Sequence, residues 1–119
     1  MPKLNIKVTV KNEETNESYE IPAILHEDII KYIEKNDTTV IFDYDSNSLV
    51  RENEELRMNY LFDMDRNTEG SIQIKEIGQT ILVPIETNKI ERKNNDIRIE
   101  FHVEGKEFLY QIEEIKWVF

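Results

Sequence analysis

Between residues 4 and 11 apolar and polar side chains alternate one for one, Leu4, Ile6, Val8 and Val10 against Asn5, Lys7, Thr9 and Lys11. Successive side chains of a strand point to opposite faces, so this rhythm sends one row into a core and the other into water. The rhythm returns at Val40, Phe42 and Tyr44, at Leu56, Met58, Tyr60 and Phe62, and at Ile72 and Ile74. It is cleanest at Ile97, Ile99, Phe101 and Val103, which oppose Arg98, Glu100, His102 and Glu104. Seventeen isoleucines against one alanine fit this pattern, because β-branched side chains keep their preferred rotamers in strands. Glycine and proline number three each, so most turns fall to Asn and Asp, whose short side chains bond their own backbone.

Several stretches are less uniform. Residues 17–25 place Tyr19, Ile21 and Ala23 on one side, and Pro22 assigns the run to a sheet edge or a bulge, since proline donates no ladder bond. In residues 25–35 the set Leu25, Ile29, Tyr32 and Ile33 suits a helical face as well as a strand, and periodicity over so short a run does not separate the two. Ile81, Leu82 and Val83 in succession predict burial on both faces. Gly105-Lys106 predicts a tight turn. The apolar row Phe108, Tyr110, Ile112 changes parity at Ile115, Trp117 and Phe119, which predicts a bulge near Glu113-Glu114. Together these runs amount to about eight to ten short strands, the spacing of an antiparallel sandwich or barrel.

Charge and composition narrow the function. The 119 residues suit one domain spanning residues 1–119, and a net charge of −10 opposes the counterion release that drives nucleic-acid binding. No apolar run reaches the roughly 20 residues of a membrane span and no signal peptide opens the chain, so a cytoplasmic protein with no membrane partner is expected. Without cysteine there is no disulfide, thiolate nucleophile or zinc knuckle.

From residue 38 onward the order of features resembles the bacterial YwiB-like family, a domain of unknown function. The residues that carry the likeness are Thr38-Thr39-Val40, Leu49-Val50-Arg51, Arg57-Met58-Asn59-Tyr60-Leu61-Phe62, Gly78, and Ile81-Leu82-Val83-Pro84-Ile85-Glu86-Thr87 with Ile90 following. The final pair of runs, from Ile97 and from Phe108, completes it. The resemblance implies an all-β, calycin-type (lipocalin-like) antiparallel barrel and makes Ile29 to Glu34 a strand. It brings no catalytic residues. One departure stands out: the family tends to have glycine two residues after the arginine equivalent to Arg51, and Asn53 is there instead.

Candidate chemistry is sparse. Asp43, Asp45, Asn47, Val50 and Glu54 imitate the spacing of a calcium loop, but Ser48 stands where the sharp turn needs glycine, and the flanks alternate like strands. An Asx-type hairpin turn is the plainer reading. His26 and His102 have no ligand partners at metal spacing, and Ser18, Ser46, Ser48 and Ser71 lie outside any nucleophile elbow. Neither a metal nor a cofactor is expected, and no enzyme. A barrel of about eight strands is either filled by its side chains or holds one small ligand, and rows of Ile, Val and Phe favour filling. The leading expectation is a non-enzymatic barrel that binds a small apolar or amphipathic ligand through Arg51, Tyr60, Phe62 and Phe101. Arg51 shares the parity of Leu49: facing inward it would anchor an anion or carboxylate, and facing outward, the more common case, it is a surface charge. The alternative is an acidic interaction module working through Trp117-Val118-Phe119, on a partner or in a homodimer.

Overall fold

The computed structural model describes residues 3–115. They form ten strands: β1 (Lys3–Asn12), β2 (Asn16–His26), β3 (Ile29–Glu34), β4 (Thr38–Asp43), β5 (Ser48–Glu52), β6 (Leu56–Leu61), β7 (Thr68–Ile74), β8 (Gln79–Lys93), β9 (Asp96–Val103) and β10 (Lys106–Ile115). Each strand pairs antiparallel with its neighbour in sequence, and β1 pairs with β10 to close the sheet into a barrel. Closure removes the two free edges an open meander would expose. The only helical piece among the described residues is one 3-10 turn, Lys35–Asp37, between β3 and β4.

The alternating rows build the interior as the sequence predicts. Ile6 and Val8, Ile30 and Tyr32, Val40, Phe42 and Tyr44, Ile97, Ile99 and Phe101, and Tyr110 and Ile112 are all buried. The axis is filled. Phe42 meets Tyr44 edge-on at 5.1 Å between centroids and Tyr110 at 6.0 Å, while Phe62 lies 4.8 Å from Phe101. The open-ended stretch 25–35 resolves as the hairpin of β2 and β3: Ile30 and Tyr32 face in, while Ile29 and Ile33 are exposed. A strand buries alternate residues, so the set Leu25, Ile29, Tyr32, Ile33 never shares a face.

Three local expectations change. Ile81 and Leu82 are exposed and only Val83 is buried: Leu82 lies on the outward face of β8, and Ile81, though it shares the parity of Val83, precedes the stretch in which Val83, Ile85 and Thr87 are buried. No bulge interrupts β10 near Glu113-Glu114: its register with β1 runs unbroken from Asn12↔Phe108 to Asn5↔Ile115. The extra residue sits instead in β8, where the register shifts between Thr87 and Lys89 and lets this 15-residue strand bend around the barrel. The last tight turn is Glu104-Gly105, one residue earlier than predicted, with φ of +50° and +80°. Positive φ at both central positions gives the twist that suits a two-residue hairpin. Asn36, Asp37, Asn47 and Asn94 also take positive φ, in keeping with the turn role expected of Asn and Asp.

Pro22 shapes the barrel most. β2 pairs with β1 along nearly its whole length but with β3 over only three positions, Ile24↔Lys31, Leu25↔Ile30 and His26↔Ile29. Continued by the same register, Pro22 would stand opposite Ile33. The ladder stops short of it, as expected of a residue without an amide proton. Beyond this point the two strands part and leave a cleft at the end of the barrel.

Candidate functional site

The cleft at this seam has a volume of about 710 Å³. One wall is six consecutive residues of β2, numbers 16–21, and the other comprises Glu34, Lys35, Asn36, Thr38 and Arg51. Side chains bridge the gap that the backbone leaves. Glu34 continues the inward row of Ile30 and Tyr32, and Arg51 that of Leu49, so two charged groups turn into the barrel mouth from β3 and β5. Arg51 Nε and Nη2 both donate to Glu34 Oε1, at 3.2 and 2.6 Å, and the Tyr19 hydroxyl donates to Glu34 Oε2 from across the seam. The pairing explains why an inward carboxylate is tolerated: three donors replace the water it has lost. Burial opposes the charge on Arg51, but the Glu34 carboxylate outweighs it and holds the guanidinium protonated beyond its ordinary range.

The guanidinium is not used up. The Glu34 side chain is 15% exposed and the Arg51 side chain 42%, and Glu34 takes two of the five N–H donors a guanidinium carries. Beneath it, the buried hydroxyls of Tyr32 and Tyr110 bond each other at 2.7 Å. Thr38, also buried, accepts from Asn53 Nδ2 at 3.2 Å. Asn53 shows why glycine is dispensable after Arg51: its Oδ1 accepts from the amides of Glu55 and Leu56, at 2.8 and 2.9 Å, and makes an Asx turn from β5 to β6.

The four residues expected to hold a ligand are brought together only in part. Arg51 faces the cleft. Tyr60 pairs with Leu49 and is therefore the diagonal neighbour of Arg51 on the inward row, and burial raises its phenol while the Arg51 charge pulls the other way. Phe62 and Phe101 are 2% and 5% exposed and pack edge-on against Tyr60 at 6.3 Å each, so they support the site from the core. Sequence reading missed Glu34 and Tyr19. Glu34 follows Tyr32 in the parity of a strand, which was the available signal; Tyr19 reaches it only because the seam is open.

Other candidates disperse. Asp43 Oδ1 accepts from the amides of Asp45 and Ser46, and Asp43 and Glu54 lie at opposite ends of β5, so the calcium-like spacing never becomes one loop. His26 ends β2, and His102 bonds Asn88 at the β8 bulge on the outer surface. Trp117-Val118-Phe119 lies outside the described residues. No helix among the described residues is long and apolar enough to cross a membrane.

The tyrosines supply a measurable signature. All five in the chain, Tyr19, Tyr32, Tyr44, Tyr60 and Tyr110, have phenols pushed above the ordinary value near 10, in each case first by burial. A folded-state pKa above the unfolded one contributes stability that is whole below pH about 10 and lost as pH rises beyond it, because only the unfolded chain releases the proton. Phenolate absorbance is therefore expected to appear together with loss of strand circular dichroism above pH about 10. A separate phenolate step near that pH in still-folded protein would contradict these environments.

The architecture defines a class: a closed, ten-stranded, antiparallel up-and-down barrel with a polar mouth. Among solved structures it is similar to the crystal structure of the ywiB protein from Bacillus subtilis, with a TM-score of 0.53, 12% sequence identity, and coverage of 96% of this chain and 91% of that one. At that identity the likeness establishes a shared YwiB-like fold. No protein-family model matches the chain, and no curated protein sequence matches it.

Proposed function

We propose that this barrel is a non-enzymatic, cytoplasmic binding protein that holds a small amphipathic ligand in the seam cleft rather than along its filled axis. One observation carries the reading: an inward Glu34–Arg51 pair, the Arg51 side chain still 42% exposed, faces a cleft of about 710 Å³. Buried charge is expensive, and a barrel that needed only a plug would use apolar side chains there. Arg51 supplies donors to the ligand's polar group, Ile21 and the Tyr19 ring supply contact for its apolar part, and Tyr60 backs Arg51 from the core.

Native mass spectrometry of the purified protein tests for a bound molecule directly. In parallel, 1,2-decanediol is expected to raise the melting temperature by linkage, through a stability gain of about 2.7 kcal/mol at a hundredfold excess over Kd, and Arg51→Leu to abolish most of that gain while remaining folded. Absence of both a co-purifying molecule and a diol-dependent shift would remove the proposal.

A further inference from the structure

Resting on that reading of the cleft, we propose that its ligand is a short extended peptide segment, taken up by strand addition on the open edge of β2. The cleft wall formed by residues 16–21 is a continuous piece of strand whose second edge, beyond the three pairs with β3, has no ladder partner among the described residues. An open edge presents alternating amide donors and carbonyl acceptors. An extended chain matches that pattern, whereas an alkyl chain or a lone headgroup leaves most of those groups to water. In an otherwise closed barrel, the β2–β3 ladder stops at Ile24, short of Pro22, and β3 itself ends at Glu34, opposite residue 21 in the same register, so residues 16–20 have no strand facing them on this edge among the described residues.

Charge selects among ligands in the same direction. The cleft lining holds the carboxylates of Glu17, Glu20 and Glu34 against Lys35 and Arg51, on a chain of net charge −10, so a fatty acid or phosphate ester meets net repulsion. A neutral peptide backbone does not, and its carbonyls accept from the Arg51 donors that Glu34 leaves free. The size agrees. From strand rise, strand spacing and sheet separation, one strand residue occupies about 160 Å³. The cleft of about 710 Å³ then takes roughly four residues.

The test uses the capped pentapeptide acetyl-Val-Thr-Val-Thr-Val-amide and its analogue N-methylated at alternate amides, each titrated into ¹⁵N-labelled protein. The unmethylated peptide is expected to shift the amide signals of residues 17–21 and slow their hydrogen exchange about tenfold or more, and the analogue to bind about tenfold more weakly. Pro22→Val is expected to extend the β2–β3 ladder as far as residue 21, the end of β3, and to weaken peptide binding by shortening the open edge. No change at those amides with millimolar peptide, equal binding of the methylated analogue, or protection that grows with protein concentration alone would each overturn the proposal; the last would give the edge to a second copy. If 1,2-decanediol binds and the peptide does not, strand addition falls and the cleft stands as a small-amphipath site. If neither binds, both fall.

Discussion

Phe42→Ala is expected to lower stability by about 3–5 kcal/mol, the largest effect of any single truncation in this barrel. Phe42 is fully buried on β4, pairs with Leu49 and Ile30 on either side, and holds the rings of Tyr44 and Tyr110. Removing it costs the transfer free energy of the ring and leaves a cavity. Closed sheets collapse poorly onto such a gap because every strand is held by a neighbour on each side. A domain of this size has about 5–15 kcal/mol to lose, so the variant is expected to melt roughly 10–25 °C lower, with an unchanged circular dichroism spectrum at low temperature. Phe42→Leu is expected to recover more than half of the loss. A cost below about 1 kcal/mol for Phe42→Ala would show the axis to be loosely filled.

Gly70→Val is the second large effect, and it works by excess volume. Gly70 is buried on β7, and a Cβ there would stand 2.8 Å from Tyr60 Cδ1, 2.9 Å from the Asn59 carbonyl oxygen and 2.9 Å from Ile85 Cδ1. Replacing glycine in a strand ordinarily helps by about 0.4–1 kcal/mol through the unfolded chain. Here the backbone oxygen cannot yield, and overpacking of this kind costs about 1–3 kcal/mol or more, so the sign reverses. Gly70→Ala is expected to show the same sign with a smaller magnitude. Because Tyr60 bears part of the clash, Tyr60→Leu is expected to recover part of the loss in the double variant, measured as a coupling energy by chemical denaturation. Independent, additive costs would mean that the Asn59 carbonyl and Ile85 carry the whole clash.

Gly70 illustrates how a sequence conceals such a position. Its neighbours Ser71, Ile72 and Ile74 announce a strand, and the alternation places residue 70 on the inward row. Nothing local shows that the ring of Tyr60, from the adjacent β6, occupies the space over it. Gly78 and Gly105, by contrast, take φ of +63° and +80° in turns, where glycine is the ordinary choice. The bulge is a similar case: a parity change near Glu113-Glu114 looked like an insertion in β10, yet that strand stays in register and β8 bends instead. Parity reports which face a residue takes; curvature depends on how far the sheet must turn to close.

The candidate site divides the same way. That Arg51 shares a face with Leu49 was legible, as were the aromatic rows from their spacing, while the inward turn of that face came from the fold. Its partner was not, because Glu34 and Tyr19 meet Arg51 only across a seam between strands.

The two-residue alternation alone marked most of this chain as β-strand and which side chains share a face along each run, since side-chain direction in a strand is a local property of the backbone. Tertiary structure alone decided where the ladder fails and what fills the failure: the pairing stops short of Pro22, β3 ends at Glu34, and Tyr19, Glu34 and Arg51 converge on the gap from three strands. Such convergence depends on register between strands, a long-range quantity that no window of sequence contains.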